Sequence, residues 1–220
     1  MIAKLISYSK PSEFETYQDE WNIKSCQDLI AYCARVSNPS GQENTATNEK
    51  LLKYLIKHQH WSPFEMASAC IEINTTRDIA RQILRHRSFS FQEFSQRYSV
   101  AQELEEIQLR KQAEKNRQSS TDEFTDGFFL AKVREHLGRS LSLYNEAIKM
   151  GVAKESARLL LPLTTETTMY MSGTIRSWVH YIDLRSQEET QKEHRDIAGG
   201  CRDIFIEHFP NISLALGWKE

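Results

Sequence analysis

The sequence lacks the glycine-rich signatures with which many enzymes hold phosphate groups. Neither G-x-G-x-x-G nor G-x-x-x-x-G-K-[ST] occurs in its 220 residues, which excludes a dinucleotide-binding Rossmann unit and a P-loop. A phosphorylated ligand of this protein must therefore be held by side chains.

Cysteine is scarce, and its spacing excludes two common kinds of site. The 4 cysteines include no C-x-x-C pair and no cysteine–histidine spacing typical of zinc. His58 and His60 stand two residues apart without a third ligand at useful spacing, so we interpret them as helix-end or surface residues. We expect free, buried thiols and no metal site.

Long hydrophobic runs are also missing. No apolar stretch approaches the roughly 20 residues of a membrane-spanning helix, and the sequence after Met1 enters polar residues without the pattern of a signal peptide. A hydrophobic content of 40% with 26% charged residues is typical of a globular protein, and a chain of this length suits one core. We therefore expect a single domain over residues 1–220, located in the cytoplasm.

Positive charge is in slight deficit overall but concentrated in one stretch. The formal net charge is -2, yet the segment from Arg77 to Arg97 holds five arginines and one histidine against two acids. Guanidinium groups bind phosphate oxygens in pairs through charge-assisted hydrogen bonds. A solvated, arginine-rich helix end is the alternative interpretation. The interleaved serine, glutamine and aromatic residues from Ser88 to Tyr98 favour a binding site instead.

Two further arginine-bearing segments lie downstream. Arg158 stands beside an apolar run, and Arg176 and Arg185 lie on a predicted helix. Three arginine groups in a chain with a slight excess of acid favour small anionic ligands over a long polyanion. An alternative of another class is a small module that binds single-stranded nucleic acid, in which aromatic rings stack on bases. The rings available for this are those of Phe89, Phe91, Phe94 and Tyr98.

Hydrophobic periodicity predicts both strands and helices. Alternation predicts strands over 2–8 and 66–74. The segment 166–172 is rich in threonine, methionine and tyrosine, which predicts a third strand, ended by Gly173. The helical period predicts helices that begin near residues 25, 47, 75, 128, 175 and 190, with Thr75 capping the third and Gly151 ending the fourth. The arginine-rich stretch then starts on a helix end and continues as a loop. The polar segment 99–127 is interpreted as a lid or as an exposed helix.

One short sequence in the last predicted helix suggests a different activity. The tripeptide His194-Arg195-Asp196 is similar to a protein-kinase catalytic loop. No Gly-rich loop and no Asp-Phe-Gly accompany it, so we exclude a kinase.

Three short motifs together point to one family. The arginine-rich stretch meets R-H-R-x-x-S-x-x-x-x-S-x-R in full, through Arg85, His86, Arg87, Ser90, Ser95 and Arg97. This pattern resembles the signature of the flavin-dependent thymidylate synthases. Residues 60–65 match a second element of that family, His-x-[Ser/Thr]-Pro-Phe-Glu, and residues 157–162 match a third, Ala-Arg-x-x-Leu-Pro. Gln92, Thr174 and His180 depart from the family, in which asparagine is common at each position.

The resemblance implies a methyltransferase that converts dUMP to dTMP. In that family 5,10-methylenetetrahydrofolate supplies the one-carbon unit, and FAD reduced by NADPH supplies the hydride. The resemblance also implies a homotetramer whose sites are shared between subunits, with neither a membrane nor a nucleic acid as partner. The implied fold is α+β, a central twisted and mostly antiparallel sheet flanked by helices.

The resemblance further assigns residues to each ligand. Arg185 would lie against the uracil ring and activate it, in place of a covalent enzyme nucleophile. The residues implied in dUMP binding are Gln82, Arg85, Glu93, Ser95, Gln96, Arg97, Arg158 and Arg185. The residues implied in FAD binding are His60, Ser62, Arg85, His86, Arg87, Glu93, Thr174, Arg176 and His180.

Overall fold

A computed structural model describes residues 2–12, 23–100, 104–105 and 107–218 of the chain. Its strands are β1 (Ala3–Tyr8), β2 (Ser68–Thr76), β3 (Phe89–Glu93), β4 (Arg110–Gln112), β5 (Ser120–Glu123) and β6 (Glu166–Thr174). Its α-helices are α1 (Cys26–Ala34), α2 (Asn48–Lys57), α3 (Arg77–Ile83), α4 (Gly127–Lys149), α5 (Lys154–Ala157), α6 (Ile175–Arg185), α7 (Lys192–His208) and α8 (Pro210–Ala215). Short 3-10 turns cover 39–41, 45–47, 62–65 and 158–160.

The main sheet has four strands in the order β1-β2-β6-β3, and every neighbouring pair is antiparallel. Side chains alternate between the two faces, so Ile71 and Ile73 of β2 and Met169 and Met171 of β6 all enter the core. Helices flank the sheet. Side chains of α6 and α7 form much of the hydrophobic core that packs against it. The predicted α+β fold with a mostly antiparallel sheet is confirmed.

The helix α6 is fixed to the sheet through Trp178. This residue is fully buried, and its indole Nε1 donates a hydrogen bond of 3.0 Å to the carbonyl oxygen of Ala69 in β2. Its ring packs edge-on against Phe89 of β3, with centroids 4.9 Å apart. Burial of one such apolar side chain contributes about 1.5 to 3 kcal/mol. Trp178 therefore holds α6, and whatever lies at its C-terminus, in a defined place beside β3.

The prediction that the arginine-rich stretch continues as a loop is wrong. Residues Phe89–Glu93 form β3, which pairs with β6 so that Phe89 lies opposite Gly173 and Gln92 opposite Tyr170. Alternation explains the strand, since Phe89 is buried while its neighbour Ser90 faces solvent. Five residues with two rings carry too weak a signal for sequence periodicity to identify.

Other boundaries also differ from the predictions. The strand predicted to end before Gly173 runs on to Thr174, and the strand predicted over 66–74 covers Ser68–Thr76. Thr76, not Thr75, is the N-cap residue of α3. Gly151, with φ of 86°, ends the long helix α4 as predicted.

The segment 99–127 contains no helix before Gly127 in any part that the structure describes. It holds the two-stranded antiparallel hairpin β4–β5, and Leu104 forms an isolated bridge with Thr165. The exposed-helix interpretation is therefore wrong, because Leu104, Ile107 and Leu109 all lie outside helices. Within the described ranges, no helix is long and apolar enough to cross a membrane.

Candidate functional site

Arg185 and His86 meet although they lie 99 residues apart in the sequence. Arg185 is the last residue of α6, and its Nε donates a hydrogen bond of 2.9 Å to Nε2 of His86. A guanidinium group can only donate, so Nε2 of His86 carries no proton and the neutral ring is protonated on Nδ1. Burial, and secondarily the nearby charge of Arg185, lower the pKa of His86 to about 4. His86 is therefore neutral at physiological pH.

The contact with His86 fixes the direction of the Arg185 side chain. Among the described residues, no hydrogen bond involves the two terminal amino groups of Arg185, and the side chain is half-buried. A guanidinium group held by its Nε presents those two amino groups as a planar pair of donors. The arrangement can stabilise negative charge that develops on a ligand beside it.

A buried histidine lies next to this pair. His194 of α7 is completely buried, its ring centroid is 6.2 Å from that of His86, and its Nε2 lies 3.1 Å from the hydroxyl of Tyr181. Its Nδ1 lies 3.4 Å from Oε1 of Gln82. Burial, followed by the charges of Arg185 and His86, lowers the pKa of His194 to about 3.

His194 has no predicted role, since its only match in the sequence was the tripeptide excluded as a kinase motif. A usable signal was present, because His194 recurs with Ile197, Ala198 and Cys201 at helical spacing. All four side chains are buried on one face of α7. A histidine in such an apolar series is a buried polar group that requires partners.

Gln82 connects this cluster to an open cavity. Its Nε2 donates to Oε1 of Gln191 at 2.8 Å, and Nε2 of Gln191 donates to Glu193 at 3.0 Å. Glu193 is bound by Arg110 of β4, with two nitrogen–oxygen distances of 2.6 and 2.8 Å. The Arg110 contacts and the hydrogen bond from Gln191 outweigh burial and lower the pKa of Glu193.

The cavity has a volume of about 660 Å³ and lies between the β4–β5 hairpin and the segment 188–196. Acids outnumber bases on its walls, which include Asp78, Glu105 and Glu193. The pKa of Glu105 is raised by burial first and then by the nearby acids Glu166, Glu193 and Asp78. None of the residues predicted to bind dUMP or FAD lines this cavity. Its acidic walls also differ from the arginine-rich phosphate sites that the sequence predicts.

A second group of predicted residues gathers at the end of the arginine-rich stretch. Arg97 and Glu155 of α5 form an exposed ion pair at 3.3 Å, and Nε of Arg158 donates to the Glu155 carbonyl oxygen at 3.2 Å. Gln96 is buried, and its Nε2 has no hydrogen-bond partner among the described residues. The structure thus brings Arg97 and Arg158 together around Glu155.

Arg85 and Arg87 differ from these arginines. Both are exposed, and in the described part of the chain neither side chain forms an ion pair. Ser95 is likewise exposed. These polar side chains face outward from the turn between α3 and β3 and from the residues after β3.

Glu93 is occupied by partners within the chain. Nη1 of Arg77 lies 2.8 Å from its Oε1, and the hydroxyl of Thr167 donates to the same oxygen at 3.0 Å. One carboxylate oxygen therefore takes both contacts. Glu93 is therefore tied to α3 through Arg77 and to β6 through Thr167.

The residues predicted to bind FAD around α6 form a third group. Thr174 caps α6 by accepting a hydrogen bond from the Ser177 amide at 3.2 Å, and Arg176 pairs with Glu65. His180 packs against Trp61, with ring centroids 4.7 Å apart. Burial, followed by the charge of Arg176, lowers the pKa of His180.

His60 and Ser62 flank Trp61 in the sequence. The His60 ring is exposed and packs near Tyr54, with centroids 6.0 Å apart, and Ser62 is exposed in a 3-10 turn. The expected surface position of His58 and His60 agrees with this. The described residues contain no group of three or more histidine, cysteine or acidic side chains placed to hold a metal ion.

Comparison with known proteins agrees with the residue pattern. A family model described as thymidylate synthase complementing protein matches residues 19–211. A probable flavin-dependent thymidylate synthase of Paramecium bursaria Chlorella virus 1 is 51% identical over 222 residues, covering 99% of this chain and 100% of that protein. The flavin-dependent thymidylate synthase of a Synechocystis species is 52% identical over 221 residues, with 99% and 100% covered.

More distant proteins share the sequence or the fold. A flavin-dependent thymidylate synthase of Thermus thermophilus is 35% identical over 183 residues, covering 82% of this chain and 68% of that protein. The crystal structure of a UMP/dUMP methylase, PolB from Streptomyces cacaoi, bound with 5-Br dUMP, superposes with a TM-score of 0.77 at 21% identity. That superposition covers 98% of this chain and 94% of the methylase, and it shows a common fold. The motif-based resemblance is confirmed, and this chain belongs to the flavin-dependent thymidylate synthase family.

Proposed function

We propose that this protein methylates dUMP to dTMP, with 5,10-methylenetetrahydrofolate as one-carbon donor and with FAD, reduced by NADPH, as hydride source. The full-length similarity to flavin-dependent thymidylate synthases supports the reaction class. The observation that carries the mechanism is the Arg185 guanidinium, held through Nε by a neutral His86 with its terminal amino groups directed elsewhere.

The chemistry of uracil explains why such a group is needed. C5 of uracil is a weak carbon nucleophile, and without an enzyme nucleophile adding to C6 the ring must be activated by charge. Two donors beside O2 and N3 favour negative charge on those atoms, which makes C5 more nucleophilic. Donors already in position stabilise this charge without reorganising during the reaction. Arg185 supplies that stabilisation in our proposal.

The remaining arginines would hold the nucleotide. Arg97 and Arg158 lie together around Glu155, and a phosphate with two charges can displace a single exposed carboxylate contact. Exposed Arg85 is free to join them. We assign dUMP binding to these residues with Gln82, Glu93, Ser95 and Gln96. The buried amide nitrogen of Gln96 has no hydrogen-bond partner in the part of the chain that the structure describes.

The residues around α6 fit a flavin nucleotide. Its diphosphate requires cationic donors, and Arg87 and Arg176 are accessible from solvent. Its rings require apolar or aromatic neighbours, and Trp61 with His180 offers such a pair. We therefore assign FAD binding to His60, Ser62, Arg85, His86, Arg87, Glu93, Thr174, Arg176 and His180. These residues would hold FAD where, once reduced by NADPH, it could supply the hydride for the methyl group.

A specific contact argues against the nucleic-acid-binding alternative. That function requires a row of accessible rings, but Phe89 is 9% exposed and packs against Trp178 and Tyr181. Phe91 is half-buried, so only Phe94 and Tyr98 remain exposed. Two separate rings and a net charge of -2 make a poor surface for a polyanion.

We also propose assembly into a homotetramer, supported by the long helix α4. Tyr144 is the only buried residue of its 23 in the described structure, although the helix carries many apolar side chains. Phe128 and Met150, at its two ends, are about three-quarters exposed, at 75% and 76%. Apolar area of this kind on one element is typical of a subunit interface. Sedimentation equilibrium should give four times the chain mass of 25.6 kDa, and a monomer would contradict the proposal.

The proposed reaction has a direct test with the purified protein. Flavin absorbance should accompany the protein, and incubation with dUMP, 5,10-methylenetetrahydrofolate and NADPH should yield dTMP. Omission of any one of the three should abolish the product. A protein without bound flavin that forms no dTMP when FAD is added would contradict the proposal.

A further inference from the structure

A continuous series of hydrogen bonds runs from the buried core to the cavity. It begins at the hydroxyl of Tyr181, which is 1% exposed, and passes through the fully buried His194. It continues through Gln82 and Gln191 and ends on the carboxylate of Glu193. The five residues come from α3, α6 and α7 and from the turn before α7, so the series is a tertiary feature.

The chemistry of the groups fixes the direction of each bond. Oε1 of Gln82 can only accept, so Nδ1 of His194 must carry the proton that it shares with Gln82. Nε2 of the neutral His194 is then an acceptor, and the Tyr181 hydroxyl donates to it. Every donor in the series therefore points from Tyr181 towards Glu193.

The carboxylate of Glu193 fixes the orientation of the Gln82 amide. A carboxylate can only accept, so Nε2 of Gln191 faces Glu193, and Oε1 of Gln191 is left to accept from Nε2 of Gln82. The oxygen of Gln82 is directed inward to His194, and its nitrogen is directed outward to Gln191. An amide nitrogen carries two hydrogens, and Gln191 takes one of them. The other hydrogen remains available to a ligand. In the reversed orientation, Gln82 would offer an acceptor in its place.

We propose that His194 and Tyr181 are positioning residues that hold Gln82 as a hydrogen-bond donor towards the nucleotide. The Gln82 position then selects an oxygen atom that accepts, whether a pyrimidine carbonyl or a phosphate oxygen, and rejects a donor such as an exocyclic amine. This inference rests on the proposed function, in which Gln82 contacts dUMP. It assigns His194 and Tyr181 no contact with the reacting atoms.

Tyr181→Phe is the most conservative variant that tests the orientation. The ring and its packing against Trp178 and Phe89 are kept, and only the hydroxyl is lost. Nε2 of His194 then has no donor, so the tautomer protonated on Nε2 becomes competitive. In that tautomer Nδ1 accepts, and Gln82 must turn its nitrogen inward.

The first measurement needs no ligand. In protein labelled with ¹⁵N-histidine, the imidazole shifts should identify His194 as neutral and protonated on Nδ1 from pH 5 to pH 8. The His194→Asn spectrum assigns the signal. Tyr181→Phe should show part or all of the population protonated on Nε2. A charged His194, or an Nε2-protonated ring in the parent protein, would overturn the inference whatever the enzyme does.

The second measurement is binding and turnover of dUMP. Tyr181→Phe should raise the Kd and KM for dUMP about 3- to 10-fold, the effect of one neutral hydrogen bond, with kcat within about twofold of the parent. His194→Asn, which can keep a donor near the Nδ1 position, should lose less affinity than His194→Gln. Tyr170→Phe, which removes a hydroxyl on the solvent face of β6, should leave both constants unchanged.

Binding of deoxyuridine, which lacks the phosphate, identifies which oxygen atom accepts the hydrogen bond from Gln82. If Tyr181→Phe weakens deoxyuridine and dUMP equally, Gln82 donates to the nucleoside, whereas a loss confined to dUMP identifies the phosphate. If the parent binds dUMP and Tyr181→Phe binds it with the same affinity, this inference is contradicted while the proposed function is not. A parent that binds no dUMP would contradict the proposed function, and the histidine tautomer would still decide whether Gln82 is oriented as described.

Discussion

Individual arginines of this chain differ in whether a carboxylate of the same chain faces them. Arg77 is paired with Glu93, Arg97 with Glu155 and Arg176 with Glu65, while Arg185 is held by a neutral imidazole. Exposed Arg85 and Arg87 have no such acid among the described residues. A neutral partner leaves the full charge of Arg185 for a ligand, whereas a carboxylate partner cancels part of it.

At this scale we predict that Arg87→Ala weakens FAD binding more than dUMP binding. A charge-assisted hydrogen bond contributes about 1.5 to 3 kcal/mol, which corresponds to about a 10- to 150-fold rise in the Kd for FAD. The dUMP site uses other arginines, so its Kd should change less than about threefold. Titration of each ligand into the purified variant measures both constants.

The matched control is Arg202→Ala, which removes an exposed arginine of α7 that is outside the predicted site. It lowers the net charge by the same amount and should leave both Kd values unchanged. Equal losses for FAD and dUMP in Arg87→Ala, or no loss for either, would show that Arg87 does not bind the flavin nucleotide.

At the scale of elements, the close approach of β3 and β6 depends on one glycine. Gly173 lies opposite Phe89, and a Cβ at this position would lie 2.5 Å from the Phe89 ring. Gly173→Ala should therefore force Phe89 away from Trp178 and lower the free energy of unfolding by about 1 to 3 kcal/mol. Chemical denaturation measures the change.

Gly199→Ala provides the control, because a Cβ at this position in α7 meets no other described part of the chain within 4 Å. Alanine has the higher helix propensity, so this variant should be more stable by about 0.8 to 1 kcal/mol. A Gly173→Ala variant as stable as the parent would mean that the β3–β6 contact is looser than the structure indicates.

The elements that sequence patterns predicted well are those with many periodic residues. The long helix α4 and its end at Gly151 follow from 23 residues of regular spacing. The strand β2 follows from alternation, and β6 follows from a segment rich in threonine, methionine and tyrosine. The short strand β3 was missed because its five residues gain their pairing from β6, which lies about 80 residues later in the chain. The β4–β5 hairpin was missed because its polar residues carry little periodicity at all.

For the site, the residue types came from the sequence and their roles from the family resemblance. Neither source predicted that His86 would hold Arg185, since their contact spans 99 residues and depends on the packing of α6 against β3. His194 was missed for the same reason. Its partners Tyr181 and Gln82 lie on two other helices, and periodicity describes only one helix at a time.

At the scale of the whole molecule, the buried histidines should make stability depend on pH. The pKa is about 4 for His86 and about 3 for His194 in the folded protein, against an ordinary value of 6.5. Between about pH 6.5 and 4 the unfolded chain binds protons that the folded chain does not. Their stabilising contribution is thus complete above pH 6.5 and falls as the pH falls, with a slope of up to about 1.4 kcal/mol per pH unit for each histidine.

Urea denaturation at pH 7, 6 and 5 measures this slope. The partly exposed His86 should contribute less than the fully buried His194. His194→Asn should therefore lower this slope by up to about 1.4 kcal/mol per pH unit, the value for one proton, whatever the substitution does to stability at pH 7. An unchanged slope in that variant would show that His194 is protonated in the folded protein.

In our proposal Arg185 activates uracil, and Arg185→Lys tests this role most directly. Lysine keeps the positive charge but loses the planar pair of donors and the Nε that binds His86. Loss of one preorganised donor slows a reaction by about 100- to 1000-fold, so release of tritium from [5-³H]dUMP should fall by that factor. FAD content and melting temperature, measured on the same preparation, should stay near those of the parent. A variant that is less stable yet releases tritium at the parental rate would contradict the account, because Arg185 would then only close the end of α6.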